Sequence, residues 1–114
     1  MPQVGQGALA IECREEEFEI IKMLKEIEDQ KVRSAVDAER SFLAEVGSGC
    51  SLPVAAHAVL KTEEIFLKAS IASKDGMTLL KAEGSGADAN KLGVKIANKL
   101  LNEEGGDRLL NENL

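Results

Sequence analysis

Tryptophan and tyrosine are absent from this 114-residue chain, and phenylalanine occurs three times. Single-stranded nucleic acid is usually held by stacking its bases on aromatic rings, so this composition removes the platform for it. The net charge of -6 opposes any polyanion, and the four arginines, Arg14, Arg33, Arg40 and Arg108, are scattered rather than clustered. No nucleic-acid partner is expected. No apolar run approaches the roughly 20 residues of a membrane span, and no signal peptide precedes the first patterned segment. The expectation is therefore no membrane partner and a cytoplasmic protein. Two cysteines, Cys13 and Cys50, are too few for a disulfide scaffold, which agrees with a reducing compartment, although one bridge between them stays open. What is present is 44% hydrophobic and 30% charged sequence, enough for one domain with a packed core and a charged surface.

Residues 8–13, Ala-Leu-Ala-Ile-Glu-Cys, read as a short buried strand behind a flexible Val4-Gly5-Gln6-Gly7 lead-in that has nothing obvious to pack on. A helix is expected over Glu15–Glu28, with Ile20, Ile21, Leu24 and Ile27 at helical spacing and an acidic first turn that suits the helix dipole. A second helix is expected from Asp29 to Val46, with Val32, Ala35, Val36, Leu43 and Val46 on one face. Glu39 falls on that same apolar face and needs a partner there. Three strands follow, Val54–Leu60, Ile65–Ser73 and Met77–Glu83, joined by connections short enough for hairpins. The last helix carries Ala89, Leu92, Gly93, Ile96, Ala97 and Leu100 on one stripe, with Ser85 or Asp88 as its cap and Gly105-Gly106 as its stop. Leu109-Leu110 would tuck back onto the core. The fold class expected is α+β, a three-stranded antiparallel sheet with helices covering one face. The first strand fits poorly and points to a sheet outside this chain.

The stretch EVGSGCSLPV, residues 45–54, sets Cys50 between glycine and serine on the connection from the second helix to the first meander strand. A metal site would need three or four ligands, and Cys13, Cys50 and the lone His57 have no such spacing, so none is expected and His57 reads as a sheet-face residue. The glycines do not make a phosphate loop, because such loops feed a helix N-terminus and this one follows a helix C-terminus. No charged residue occurs from Gly47 to Ala56, which leaves the thiol without a local cause for a depressed pKa. Burial as a small apolar residue remains the bland alternative for Cys50. Its setting favours function, since the flanking glycines leave room beside the sulfur for something bulky.

Pro2-x-Val4-Gly5-Gln6-Gly7-Ala8-Leu9-Ala10-Ile11-Glu12-Cys13-Arg14, Glu39-Arg40 and Gly49-Cys50-x-x-Pro53 together resemble the C-terminal part of the hydroxymethylbilane synthase (porphobilinogen deaminase) family. The resemblance implies a transferase of tetrapyrrole and heme biosynthesis that adds four porphobilinogen units in turn to a dipyrromethane primer, with release of ammonia. Carried over residue by residue, it implies that Cys50, beside Gly49, holds the dipyrromethane cofactor through a thioether. The thiol then need not be unusually acidic, because the family's electrophile is very reactive. The same resemblance puts Gln6 and Gly7 on the first domain's side of the active cleft. Glu39-Arg40 would stand near the domain junction with Arg40 toward the cofactor pocket, or else form an internal ion pair. Ser48 stands where the family commonly has glycine.

On this resemblance residues 1–14 are the tail of a preceding domain and residues 15–114 are the dipyrromethane-attachment domain. The cofactor's carboxylates demand clustered Arg and Lys that this acidic chain lacks. In the family, two N-terminal domains supply them together with the catalytic aspartate, so no catalytic residue is assigned here. Partners would be porphobilinogen, the growing oligopyrrole and those two domains, in a monomeric parent. Met1 reads as an introduced start, so the chain alone is expected to be inactive with a free Cys50 thiol and no dipyrromethane. The alternative is a non-catalytic α+β binding or oligomerisation module with a structural Gly-Cys loop, and without its native sheet the segment 2–13 would be disordered or pair with another copy's edge.

Overall fold

The computed structural model describes residues 1–47, 53–103 and 105. Gly49, Cys50, Gly106 and the Leu109-Leu110 pair lie outside the described residues. Element order is α1 (Phe18–Ile27), α2 (Gln30–Val46), β1 (Val54–Lys61), β2 (Glu64–Ala72), β3 (Leu79–Gly86) and α3 (Ala89–Asn98), with a wider π turn from Lys99 to Glu103. The three strands form one antiparallel sheet in the order β1-β2-β3, and α2 and α3 pack together against one of its faces. The expected α+β architecture is thus the observed one.

Alternation decides which face is covered. In β2, Ile65, Leu67, Ala69 and Ile71 are buried beneath the helices, while Phe66 and Lys68 point to the open side. Across the ladder Leu67 stands between Ala58 and Gly84, and Ala69 between Ala56 and Ala82, so small residues of the outer strands flank the middle of the central strand. Phe42 from α2 and Ile96 and Leu100 from the last helical segment complete the core, each fully buried.

Helix α2 starts where Asp29 caps it, accepting from the amides of Lys31 and Val32 at 3.0 and 3.2 Å. Its buried face comprises Ala35, Ala38, Glu39, Phe42 and Val46. This face is rotated from the expected one: Val32 is exposed, Val36 and Leu43 are half-buried, and Phe42 with Ala38 takes the centre. The largest apolar side chain in reach claims the position nearest the sheet, since it buries the most area. In α3 the expected stripe is the buried one, and Asp88 is the cap, accepting from the amide of Lys91 at 3.0 Å. Gly93 lies at the crossing with α2. A Cβ there would fall 2.6 Å from the Phe42 amide nitrogen and 2.7 Å from the Ala38 carbonyl oxygen, so only glycine permits this approach. The Ser41 hydroxyl donates to the Asn90 carbonyl at 2.8 Å beside it.

Three local expectations are corrected. Residues 8–13 form no strand: Leu9 and Ile11 are 99% and 64% exposed, because no sheet edge among the described residues receives them. The first helix begins at Phe18 rather than Glu15, after a turn in which the Glu17 amide donates to the Arg14 carbonyl. The third strand begins at Leu79 rather than Met77. Ser73 and Asp75 fold the intervening residues into a turn, where the Ser73 hydroxyl donates to the Asp75 carboxylate and the Met77 amide donates to the same oxygen.

Candidate functional site

The amino-terminal segment is built from two successive turns. The Gln6 amide donates to the Gln3 carbonyl and the Ala8 amide to the Gly5 carbonyl, each at 3.1 Å. Both turns need a positive φ at their third residue, and Gly5 and Gly7 supply it at 72° and 84°. Gln6 is exposed, and its side-chain oxygen accepts from the Gln3 amide at 3.1 Å.

This lead-in does have something to pack on. The Pro2 carbonyl accepts from the Ala56 amide at 3.1 Å, which covers part of the outer edge of β1, and Val4 packs against the core. Residues 2–5 therefore sit on this chain's own sheet.

Glu39 joins the segment to the domain. The residue is 5% exposed, with one carboxylate oxygen accepting from the Gly5 amide at 2.8 Å and the other from the Ala58 amide at 2.9 Å. The sequence demanded a partner for this glutamate, and the partners are two backbone N–H groups from distant segments. A hydrogen bond to an ionised group contributes about 1.5–3 kcal/mol, so two of them go far to offset burial of the charge. The Glu39–Arg40 ion pair, the alternative to a place for Arg40 at the cofactor pocket, does not form. Arg40 is the next residue round the helix and projects to solvent, without a hydrogen-bond or ion-pair partner among the described residues. The His57 ring, on the exposed side of β1 as expected, stands with Nδ1 4.0 Å from the Glu39 carboxylate.

Of the cofactor-site residues that the resemblance implies, Gln6, Gly7 and Arg40 are described, and no hydrogen bond joins the first two to the third. Their neighbours Gly5 and Glu39 touch instead, across 34 positions of sequence. Cys50 lies in the interval between Gly47, the C-cap of α2, and Pro53, which precedes β1. That interval follows the carboxyl end of a helix with no basic residue in its last turn. Nothing described there offers a carboxylate a cationic partner.

Two other features were candidates for chemistry. Among the described residues, no three His, Cys, Asp or Glu side chains gather as a metal site. An open groove on the uncovered sheet side, lined by Met1, Lys68, Ser70, Lys81, Glu83 and Lys99 among others, includes none of Gln6, Gly7 and Arg40. Sequence reasoning missed the Glu39 clamp; its signal was there in a carboxylate on an apolar stripe, but the identity of the donors was not.

Comparison with known proteins fits this layout. The family model described as porphobilinogen deaminase, C-terminal domain, matches residues 34–102, which covers most of α2, the sheet and α3. Among curated relatives, a porphobilinogen deaminase of Desulforamulus reducens is 40% identical over 115 aligned residues, one of Brevibacillus brevis is 43% identical over 110, and one of Coxiella burnetii is 38% identical over 114. These alignments take in 96–98% of this chain and 36–37% of the relatives, so the chain spans little more than a third of their length. With its core elements inside the matched region, the chain belongs to the porphobilinogen deaminase C-terminal domain family.

Proposed function

We propose that this chain is the tether domain of a hydroxymethylbilane synthase, in which Cys50 carries a dipyrromethane cofactor by a thioether. The carrying observation is the match of the C-terminal family across α2, β1–β3 and α3, the elements that fix both ends of the Cys50 interval. When bound, the cofactor supplies the primer pyrrole to which porphobilinogen units are joined with loss of ammonia. The chain's own residues fit one part of this task. They provide a thiol in an uncharged stretch between the end of α2 and the start of β1, and on α2 the exposed guanidinium of Arg40, which has no hydrogen-bond or ion-pair partner among the described residues and can approach a carboxylate. They do not provide the clustered cations that several carboxylates require. Grip and proton transfer therefore belong to the amino-terminal part that the relatives have in addition, and this chain alone is expected to be inactive with Cys50 a free thiol.

Exposed apolar surface supports the same division. Leu9, Ile11, Phe18, Met23 and Ile27 are all more than half exposed, and α1 buries no residue. The family match begins at residue 34, after all of them. We assign residues 1–14, and α1 with them, to contacts with the preceding domain, which would cover this surface.

Intact-mass spectrometry tests the tether. The chain alone should show its unmodified mass. Co-expressed with the amino-terminal two-thirds of the parent, it should gain one dipyrromethane, lost in Cys50→Ala. A non-catalytic module would gain no mass in either case, and an adduct that survives Cys50→Ala would sink the assignment.

A further inference from the structure

We propose that Glu39 is a positioning residue: it fixes the Gly5–Gly7 turn to the two elements that bracket the cysteine interval, α2 and β1, and so ties the turn to both ends of that interval. Three segments meet at this carboxylate. It belongs to α2, two turns before the helix ends at Val46, and it accepts from Ala58 in β1 and from Gly5 in the lead-in. Ala56, two residues earlier on the same strand edge, is bonded to Pro2. The lead-in is thus held at two points, by a backbone bond at Pro2 and by a charged acceptor at Gly5. Gln6 and Gly7 follow directly and, among the described residues, make no hydrogen bond of their own to the sheet or the helices.

A side chain chosen only to fill core space would be apolar. A carboxylate here has two acceptor oxygens at a fixed separation, and each is spent on a different segment. The two oxygens therefore set the distance between the turn and β1. The clamp stands on these contacts alone; its consequence for the tether rests on the assignment of Cys50 above.

Amide NMR on the full 114-residue chain tests it, with Gly7 as the internal control. In the wild type, the Gly5 and Ala58 amide protons should resonate downfield through their bonds to a carboxylate. Gly5 should exchange with solvent at least about tenfold more slowly than Gly7, which has no such acceptor. Glu39→Gln keeps the shape but leaves one acceptor oxygen, so at least one of the two resonances should move upfield and its exchange should quicken. Glu39→Ala should release both, while the amides of α3 keep their protection. If Glu39→Ala fails to fold, Glu39→Gln decides. Equal exchange of Gly5 and Gly7 in the wild type, or unchanged Gly5 and Ala58 resonances in Glu39→Gln, would overturn the proposal. No tetrapyrrole enters this experiment, so its failure leaves the tether assignment standing, and a failed mass test leaves the clamp standing.

Discussion

Helices α1 and α3 are each ten residues long and each carries an apolar stripe, yet α3 buries Leu92, Gly93, Ile96 and Ala97 while α1 buries nothing. Amphipathic pattern is common to both; what differs is the partner. The stripe of α3 contains a glycine and an alanine that let α2 come close, and the sheet lies behind them. The stripe of α1 is made of Ile, Leu and Met, and no surface among the described residues buries it. A helix this short is marginal in water without packing, so α1 draws little stability from its own backbone bonds.

Substitutions can break this contrast or sharpen it. The largest loss should come from Phe42→Ala, which empties the centre of the packed half and should cost about 4 kcal/mol in denaturant unfolding. Gly93→Ala comes next, at about 2–3 kcal/mol, because the new methyl meets backbone rather than a flexible side chain. A loss under half of that would mean that α2 and α3 can separate cheaply. Within the same half, Thr62 and Glu63 occupy the β1–β2 hairpin with φ of 49° and 66°. Asn and Gly suit such a turn better, so the double change Thr62→Asn, Glu63→Gly should stabilise by about 1 kcal/mol.

By contrast, Met23→Ser on α1 should change the stability of this chain by less than about 0.5 kcal/mol, since nothing is lost from a core. A large effect there would show that α1 packs where it is now exposed. The smallest change is expected from Asp75→Asn. Hydrogen bonds from Ser73 and from the Met77 amide hold the Asp75 carboxyl below its ordinary value. A depressed folded pKa contributes stability above the unfolded value and loses it as pH falls through the folded one. The variant should therefore show a slightly flatter acid limb below about pH 4, read by thermal unfolding across pH.

Most of the packed half was legible because its periods are strong. The alternation of β2 and the stripe of α3 each required one geometry, and Asp88 was one of two caps considered. The face of α2 was read about one residue off, since Phe42 was given no more weight than smaller apolar neighbours. Residues 8–13 misled for a physical reason: a short apolar run has strand character only if an edge receives it. Glu39 showed the opposite case. Its need was evident in the sequence, but backbone donors carry no signature there, and the Gly5 amide comes from 34 positions away. For the candidate site itself, the cysteine motif was a matter of sequence resemblance, while the joint between turn and strand required coordinates.

The glycine at the crossing of α2 and α3 bears on how such a domain could move. Backbone meets backbone at Gly93, with the Ser41 hydroxyl fastened to Asn90 beside it. Side chains that interdigitate can repack to let helices slide, whereas two main chains in direct contact have little slack to give. Both ends of the cysteine interval, at Gly47 and Pro53, are mounted on this one block. Whatever displaces α2 must therefore displace α3 and the sheet behind it, and Gly47 and Pro53 travel together.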